Sequence, residues 1–322
     1  MMFARRCAAI ALAALLPMAA FAQDYPTHPI AMIVPFPPGG VADITGRPLA
    51  DAMTRLLKQS VIVENRAGAG GGVGMQYVAR ARPDGYTILM ALSSISIIPE
   101  ADKVLGRDPM FQLNQLVPIA RFTADPTVLV VRADSPYKSV ADLIAAAKKN
   151  PGGIPYGSSG NYGTMHVPME MLDAAAGVKM LHVPFTGAGP AIVNLLSGQV
   201  EALSTGPSTI MGHLKAGKVR VLATWGDARL AALPDVPTLK ELGYDAQFSQ
   251  WTGLFVPAGT PEAVIAKLRE VSKAAIADPT FQQALAKVDT PIQYLDQPQF
   301  RAFWDKDARK LAEVVQKIGK VE

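Results

Sequence analysis

Residues 30–43 read IAMIVPFPPGGVAD: a run of apolar residues, then prolines and two glycines, then the start of a helical segment. This order predicts a strand over 30–35, a tight turn, and a helix behind the turn. A glycine-rich turn between a strand and a helix exposes backbone N–H groups, which bind anions well. The stretch therefore predicts an anion site, and alone it leaves phosphate, nucleotide and carboxylate open.

Outside this stretch, short runs of β-branched residues alternate with helical segments along the chain. The alternation predicts an α/β fold with mostly parallel sheets. The expected strands span residues 30–35, 60–64, 87–91, 127–132, 154–157, 180–183, 200–204, 219–224 and 251–256.

Capping residues mark several helix boundaries. Ser139 is expected to cap a helix over 140–149, and a further helix is expected over 191–197. Thr260, followed by Pro261, is expected to cap a helix that runs to about residue 277, and Asp278 to start the next one. Pro48 is expected to delay or kink the first helix, because proline lacks a backbone N–H.

Two extended segments, 119–132 and 250–257, bracket a middle block of domain size. A chain that leaves one domain, builds a second and returns to the first forms two lobes joined by two strands. We therefore expect one discontinuous lobe over 23–125 and 250–322, and a second lobe over 126–249.

The first 22 residues have the pattern of an export signal. Arg5 and Arg6 precede an apolar segment over 8–16 that is too short to span a bilayer, and the AFA at 20–22 fits a cleavage site before Gln23. The sequence therefore predicts a periplasmic protein.

Composition excludes several classes of function. The chain has 31 basic and 27 acidic residues, a formal net charge of +4, and loss of the two leader arginines leaves +2. These charges are scattered, with no basic run interleaved with aromatic residues, so no nucleic-acid partner is expected. The only cysteine, Cys7, lies in the leader, which excludes disulfides and thiolate metal sites from the mature chain.

Small polar residues directly follow several of the predicted strands. Because ligands of parallel sheets bind at the carboxyl ends of strands, these loops are candidates for one site. The loops at 36–41, 93–98, 156–164, 185–190 and 204–209 contain no Lys, Arg or His. Hydroxyls, one amide, backbone N–H groups and helix dipoles would hold an anion there with about micromolar affinity. The candidate ligand-binding residues are Phe36, Gly39, Gly40, Val41, Asp43, Ser93, Ser94, Ser158, Ser159, Asn161, Tyr162, Gly163, Thr164, His166, Phe185, Thr186, Gly187, Ser204 and Thr205.

Two of these candidates have a structural alternative. Asp43 is most simply a cap for the first helix, and otherwise places its carboxylate near the ligand, where it would bind a water or an ammonium. His166 is more simply a structural residue than a general base. The four histidines of the chain have no metal-ligand spacing.

Cofactor and nucleophile motifs do not match. The glycine-rich segment GAGGGVG at 68–74 fails the G-x-G-x-x-G pattern, and the next strand ends without an acidic residue for a ribose. Ser159 lies in GSSG and not in G-x-S-x-G. We expect no cofactor, no metal and no catalytic residue.

Taken in order, the motifs resemble those of the periplasmic solute receptors of tripartite tricarboxylate transporters, the Bug receptor family. The resemblance covers essentially the whole mature chain, although no single motif would carry it. The matching stretches are YPTHPI at 25–30, VPFPPGG at 34–40 with Asp43, VENRAGAGG at 63–71, PDGYT at 83–87, YGSSG at 156–160, HVPFTG at 182–187, LPDVPT at 233–238 and PAGTP at 257–261.

The resemblance implies a type II periplasmic-binding-protein fold, with two α/β lobes on a two-strand hinge and the ligand cleft between them. It implies a small carboxylate ligand, such as a di- or tricarboxylate or an aromatic acid, and permease subunits as membrane partners of a monomer. It also implies that the turn at 36–43 binds one ligand carboxylate and that the turns at 158–164 and 185–187 bind the rest.

One departure from the family pattern concerns the ligand. Many members have Asp after the strand at 200–204, where this chain reads STGPS at 204–208. A ligand ammonium would lose a partner there, so amino acids are disfavoured. Two alternatives to a transport receptor remain open at this point: a receptor-like sensor that signals to a membrane partner, and an exported α/β enzyme.

Overall fold

A computed structural model describes residues 25–321. The expected export signal and its cleavage site lie outside the described residues. Among the described residues, the strands form one sheet of six and one of five, with helices packed on both. The expected α/β fold is confirmed.

The first sheet has the strand order β11-β4-β10-β3-β1-β2. Its strands come from both ends of the described chain: β1 (Ile30–Val34), β2 (Val61–Asn65), β3 (Thr87–Leu92), β4 (Leu116–Pro126), β10 (Ser249–Pro257) and β11 (Leu295–Asp296).

The second sheet has the strand order β7-β6-β8-β5-β9 and uses only the middle of the chain. Its strands are β5 (Val128–Arg132), β6 (Pro155–Ser158), β7 (Leu181–Pro184), β8 (Ala202–Thr205) and β9 (Val219–Thr224).

The expectation of mostly parallel sheets is wrong, because both sheets are mixed. The pairs β1–β2, β1–β3, β6–β7 and β6–β8 are parallel. The strands that return from the crossings pair antiparallel, as β10 does with β3 and β4, and β5 with β8 and β9. The parallel strands of each sheet still end at one edge, which brings the loops that follow them together.

Ten α-helices occur in residues 25–321. Pro48 lies inside α1, so the expected delay of this helix does not occur. The helices are α1 (Val41–Leu57), α2 (Gly72–Ala79), α3 (Ile98–Val104), α4 (Val140–Lys149), α5 (Val167–Ala176), α6 (Ala188–Leu196), α7 (Met211–Lys215), α8 (Glu262–Ala275), α9 (Pro279–Lys287) and α10 (Gln297–Ile318).

Ser139 and Asp278 cap their helices as expected. The Ser139 side chain accepts from the Asp142 N–H in a capping box on α4, and Asp278 accepts from Thr280 and Phe281 at the start of α9. Thr260 does not cap α8. Its hydroxyl donates to the Pro257 carbonyl at 2.7 Å instead, and Pro261 takes the N-cap position.

The chain passes between the sheets at residues 127 and 225–248, next to the paired strands β4 and β10. Thr123 and Thr252 share a buried hydroxyl hydrogen bond of 2.9 Å across this pair. On the first sheet, β10 and α10 form a buried aromatic cluster, in which the Trp251 indole N–H also donates to Asp307 at 2.9 Å. Within residues 25–321 no helix combines the length and apolarity needed to cross a bilayer.

Candidate functional site

The turn between β1 and α1 exposes backbone donors, as its sequence predicts. Gly39 has a φ of 84°, in the left-handed region that glycine favours. Gly40 is the N-cap of α1 and makes no side-chain cap. The first N–H groups of a helix have no partner within it, and they lie at the positive end of the helix dipole. This end of α1 can therefore receive an anion.

Asp43 does not cap α1, contrary to the simpler expectation. Its Oδ2 accepts from the Gly39 N–H and from Arg47 Nε, each at 3.0 Å. Its Oδ1 accepts from Asn65 Nδ2 at 2.9 Å, and the same amide nitrogen donates to the Phe36 carbonyl at 2.9 Å. Burial raises the pKa of Asp43, but the Arg47, Asn65 and Gly39 hydrogen bonds outweigh it and hold the pKa below its usual value. The carboxylate fixes the turn and is already paired with a cation.

The serines after β3 are fully buried. Ser93 and Ser94 begin a short 3₁₀ segment, and neither hydroxyl has a hydrogen-bond partner among the described residues. Buried hydroxyls are normally hydrogen-bonded, so two adjacent ones without a partner are exceptional. They do not line the cavity described below, but the preceding residue, Leu92, does.

The Ser158 hydroxyl already has hydrogen-bond partners at the end of the second sheet. It lies 2.6 Å from His182 Nε2, and it accepts from the Gly160 N–H at 3.1 Å. Burial and the neighbouring His166 lower the pKa of His182 to about 3, against an opposing effect of Glu170. Ser158 therefore holds the shape of the turn after β6, and its side chain is not presented to a ligand.

The next residues of the same turn face the cavity. Ser159 is 3% exposed, and its hydroxyl has no partner among residues 25–321. Thr164 is also buried and lines the cavity with Ser159. Asn161 and Gly163 contact the glycine-rich segment instead, since a methyl group on Gly70 would lie 3.0 Å from the Asn161 carbonyl oxygen.

Tyr162 and His166 brace this turn and do not line the cavity. Tyr162 has a left-handed φ of 55°, and its hydroxyl donates to the Gly319 carbonyl at 2.6 Å. His166 Nδ1 accepts from the Tyr162 N–H at 2.9 Å, and its ring stacks on His182 at 3.9 Å. His166 therefore holds the turn through Nδ1, and its Nε2 lies 3.4 Å from Glu170 Oε1.

The turn after β7 differs from its expected form, because α6 begins at Ala188 and not at Ala191. Gly187 is the N-cap and makes no side-chain cap, so a second helix N-terminus presents free N–H groups. Ala188 lines the cavity. Thr186 is exposed, and neither it nor Phe185 is brought to the cavity.

The stretch after β8 contributes one lining residue and one hidden hydroxyl. Thr205 is buried and lines the cavity. Ser204 is fully buried beside it, and its hydroxyl has no partner among the described residues.

These turns enclose a cavity of about 10 Å³, roughly the room that one water molecule needs. It lies where loops of the first sheet meet loops of the second. Its lining residues are Phe36, Gly40, Val41, Leu92, Ser159, Thr164, Met165, Ala188, Thr205 and Gln250.

The two sides of the cavity touch through residues without bulky side chains. A methyl group on Gly187 would lie 2.4 Å from Pro37 Cδ, and one on Gly160 would lie 3.0 Å from the Gly70 nitrogen. The segment at 68–74, which fails as a dinucleotide motif, thus packs against the turn after β6. The turns that follow the two sheets are thus in direct contact across the cavity, and this arrangement is called the closed form below.

Gln250 is the functional candidate that the sequence did not single out. It lies on β10, is 4% exposed and lines the cavity, and its Nε2 donates to Thr164 Oγ1 at 2.7 Å. An amide side chain at the start of a mostly apolar crossing strand was the signal available. Leu92, Met165 and Ala188 were also missed, and as apolar residues they gave no such signal.

Larger grooves exist elsewhere on the surface. One of about 830 Å³ is lined by Arg66, Tyr77 and Arg80, and one of about 810 Å³ lies between α5 and α10. Both are open, and neither lies at the carboxyl ends of the parallel strands, where ligands of such sheets bind. We place the site at the small cavity for that reason. No cluster of metal-ligating side chains occurs within residues 25–321.

Comparisons with known proteins identify the family of the chain. The sequence profile described as "Tripartite tricarboxylate transporter family receptor" matches residues 45–320. The chain belongs to this receptor family. Among curated relatives, the receptor is 37% identical over 312 residues to the "UPF0065 protein in gbd 5'region" of Cupriavidus necator, covering 97% of this chain and 94% of the relative.

Two solved structures are similar over their whole length. The receptor matches the periplasmic binding protein BugD with a TM-score of 0.85 at 33% identity, over 92% of this chain and 99% of BugD. It matches MatC from Rhodopseudomonas palustris, solved with bound malate, with a TM-score of 0.84 at 26% identity, over 90% of this chain and 100% of MatC. The receptor therefore has the periplasmic-binding-protein fold.

Proposed function

We propose that this receptor binds a small organic carboxylate, a di- or tricarboxylate or an aromatic acid, outside the cytoplasm and delivers it to a tripartite tricarboxylate-type permease. The proposal assigns it no catalytic step. It takes residues 1–22 as a removed export signal and the mature chain as a monomer. It also takes 23–125 with 250–322 as one lobe and 126–249 as the other, with the ligand between them.

One observation carries the proposal. The uncapped N-termini of α1 and α6, which pack on different sheets, meet at one cavity, beside the buried Ser159 hydroxyl, which has no partner among residues 25–321. Helix N-termini and hydroxyls stabilise a carboxylate without a cationic side chain. The malate bound by MatC supports the same class of ligand, as does the family's description as a transporter receptor.

A thermal-shift panel of di-, tri- and aromatic carboxylates tests the proposal. A ligand at about 100 times its dissociation constant stabilises the folded state by roughly 2.7 kcal/mol, which raises the melting temperature measurably. We expect a shift with at least one acid and none with inorganic phosphate or nucleosides. A panel without any shift would count decisively against a carboxylate receptor.

Two single variants locate the binding site in the same assay. Ser159→Ala removes a buried hydroxyl at the cavity. We therefore expect it to weaken binding of the acid that gives the thermal shift by roughly tenfold. Thr186→Ala is the matched control, since it removes an exposed hydroxyl from a neighbouring turn that does not line the cavity. If both variants lose affinity equally, or if neither loses affinity, the ligand does not bind at this cavity.

A further inference from the structure

The Thr205 hydroxyl offers the cavity only an acceptor. The Thr209 hydroxyl donates to the Gly206 carbonyl at 2.8 Å, which uses its single hydrogen. The contact of 2.9 Å between Thr205 Oγ1 and Thr209 Oγ1 must therefore take its hydrogen from Thr205. Thr205 Oγ1 can then only accept hydrogen bonds, through its two lone pairs. Thr205 is buried and lines the cavity.

Gln250 offers a second acceptor. Its Nε2 donates to Thr164 at 2.7 Å, which leaves Oε1 as a buried oxygen with no partner among the described residues. Gly206 makes the room for this oxygen, because a methyl group there would lie 2.7 Å from Oε1 and 2.5 Å from Val41 Cγ2. The absence of a side chain at residue 206 thus lets the amide lie against β8.

Two acceptors repel a carboxylate oxygen, which has lone pairs only, and they require an O–H or N–H group. The donors for a carboxylate are the N-termini of α1 and α6, the Ser159 hydroxyl, and the Thr164 hydroxyl, which accepts from Gln250 and keeps its own hydrogen. The cavity therefore has a donor part and an acceptor part.

A neutral donor fits the acceptor part better than an ammonium does. The Asp43 carboxylate is already paired with Arg47 and Asn65. Asp125 lies opposite Gln250 in the register of β4 and β10, but it lines a separate groove with Pro207 and not the cavity. No other carboxylate belongs to the cavity lining within residues 25–321.

We propose that Gln250 and Thr205 select carboxylic acids that carry a hydroxyl group, with Gln250 Oε1 and Thr205 Oγ1 accepting the hydrogen bond of that hydroxyl. The inference rests on the proposed function, because it concerns the same cavity. A plain acid would leave the two buried acceptors without a partner, so we expect the hydroxy acid to bind roughly ten- to a hundredfold more tightly.

Matched ligands test this without any mutation. Isothermal titration of the purified receptor compares glutarate with its 2-hydroxy, 2-oxo and 2-amino forms. The same comparison uses malate against succinate, citrate against tricarballylate, and mandelate against phenylacetate, so that each chain length has a pair. We expect the hydroxy acid to be the tightest member of the set that binds.

Variants then assign the preference to the two residues. In Gln250→Leu and, separately, in Thr205→Val, the ratio of plain-acid to hydroxy-acid dissociation constants should fall towards one. Gln199→Leu is the matched control, because Gln199 is exposed beyond the end of α6. If one of the two acceptor variants fails to fold, the other still tests the assignment. The ligand comparison in the unmodified receptor needs neither variant.

Each other outcome overturns the inference. Equal binding of plain and hydroxy acids would overturn it and leave the proposed function intact. A preference for the 2-oxo acid would mean that Gln250 presents Nε2, and a preference for the amino acid would mean that a charge is recognised. If the ratio of plain-acid to hydroxy-acid dissociation constants stays unchanged in both variants, other residues select the hydroxyl group. Failure of every carboxylate to bind would overturn the proposed function as well.

Discussion

At the scale of single residues, the site is defined by which polar atoms are already used. Asp43 and Ser158 both looked like ligand groups in the sequence, and each has its partners inside the protein. Ser159 and Gln250 keep a buried polar atom without a partner among the described residues. A buried polar atom of that kind costs free energy unless a ligand or water bonds to it. Sequence gives residue types, but it does not show which hydrogen bonds they have already made.

Asp125 gives the receptor a pH-dependent stability at the same scale. It lies on β4, is 8% exposed, and burial raises its pKa to about 7. The folded state then holds a proton that an unfolded Asp, with a pKa of about 3.9, releases. The contribution of Asp125 therefore lowers the free energy of unfolding as the pH rises from about 4 to about 7. Above that range this contribution is constant.

Asp125→Asn removes this titration while keeping the shape of the side chain. We expect the variant to gain stability relative to the unmodified receptor as the pH rises, by about 2–4 kcal/mol between pH 4 and pH 8. Urea unfolding at a series of pH values measures the difference. Asp51→Asn, on the exposed face of α1, is the control for the loss of one carboxylate from the surface. A constant difference for Asp125→Asn would contradict the raised pKa.

At the scale of elements, the strands were predictable and their pairing was not. All nine expected strands occur, because β-branched runs bounded by Gly, Pro and Asn encode them locally. The antiparallel returns of β5 and β10 depend on partners distant in the sequence, which no local pattern shows. The early start of α6 was hidden by Gly187 and Gly189, since glycine in a GAGP segment is typical of a loop. The turns that follow the parallel strands were expected to lie together, because parallel strands have their carboxyl ends on the same side of a sheet.

The contact between the turn after β1 and the turn after β7 can be tested as an element. Gly187 has a φ of 171°, which any residue adopts, so Gly187→Ala adds a methyl group without backbone strain. That methyl group would lie 2.4 Å from Pro37 Cδ and 2.8 Å from Pro37 Cγ, on the other side of the cavity. It therefore acts as a wedge against the closed form.

We expect Gly187→Ala to weaken binding of the carboxylate found by thermal shift by roughly tenfold or more, with little change in stability without ligand, because closure must be forced against the clash. Titration calorimetry and urea unfolding measure the two quantities. Gly212→Ala is the control, since a methyl group on Gly212 would meet nothing within 4 Å. Unchanged affinity in Gly187→Ala would show that binding does not need this contact.

At the scale of the whole molecule, a cavity of about 10 Å³ cannot admit a ligand until the two sides separate. Helix α10 is an element that ties them together. Trp304 on α10 donates to Ser96 Oγ at 3.0 Å, beside the first sheet. At its other end, Gly319 and Val321 bond the hydroxyl of Tyr162, in the turn after β6 of the second sheet, at 2.6 and 3.1 Å. We expect these last two bonds to stretch or break when the cavity opens.

Tyr162→Phe removes both bonds, keeps the ring, and leaves backbone groups that water can reach when the sides separate. At about 1 kcal/mol for each hydrogen bond, the closed form should lose roughly 2 kcal/mol relative to the open one, so affinity should fall by up to about 30-fold. At a carboxylate concentration that saturates the unmodified receptor, small-angle X-ray scattering of the variant should show a larger radius of gyration than that of the unmodified receptor. Tyr77→Phe, on an exposed ring of α2, is the control. A variant that loses thermal stability while keeping its affinity and its radius of gyration would mean that the α10 tail stays bonded in the open form, and that closure depends on the turns alone.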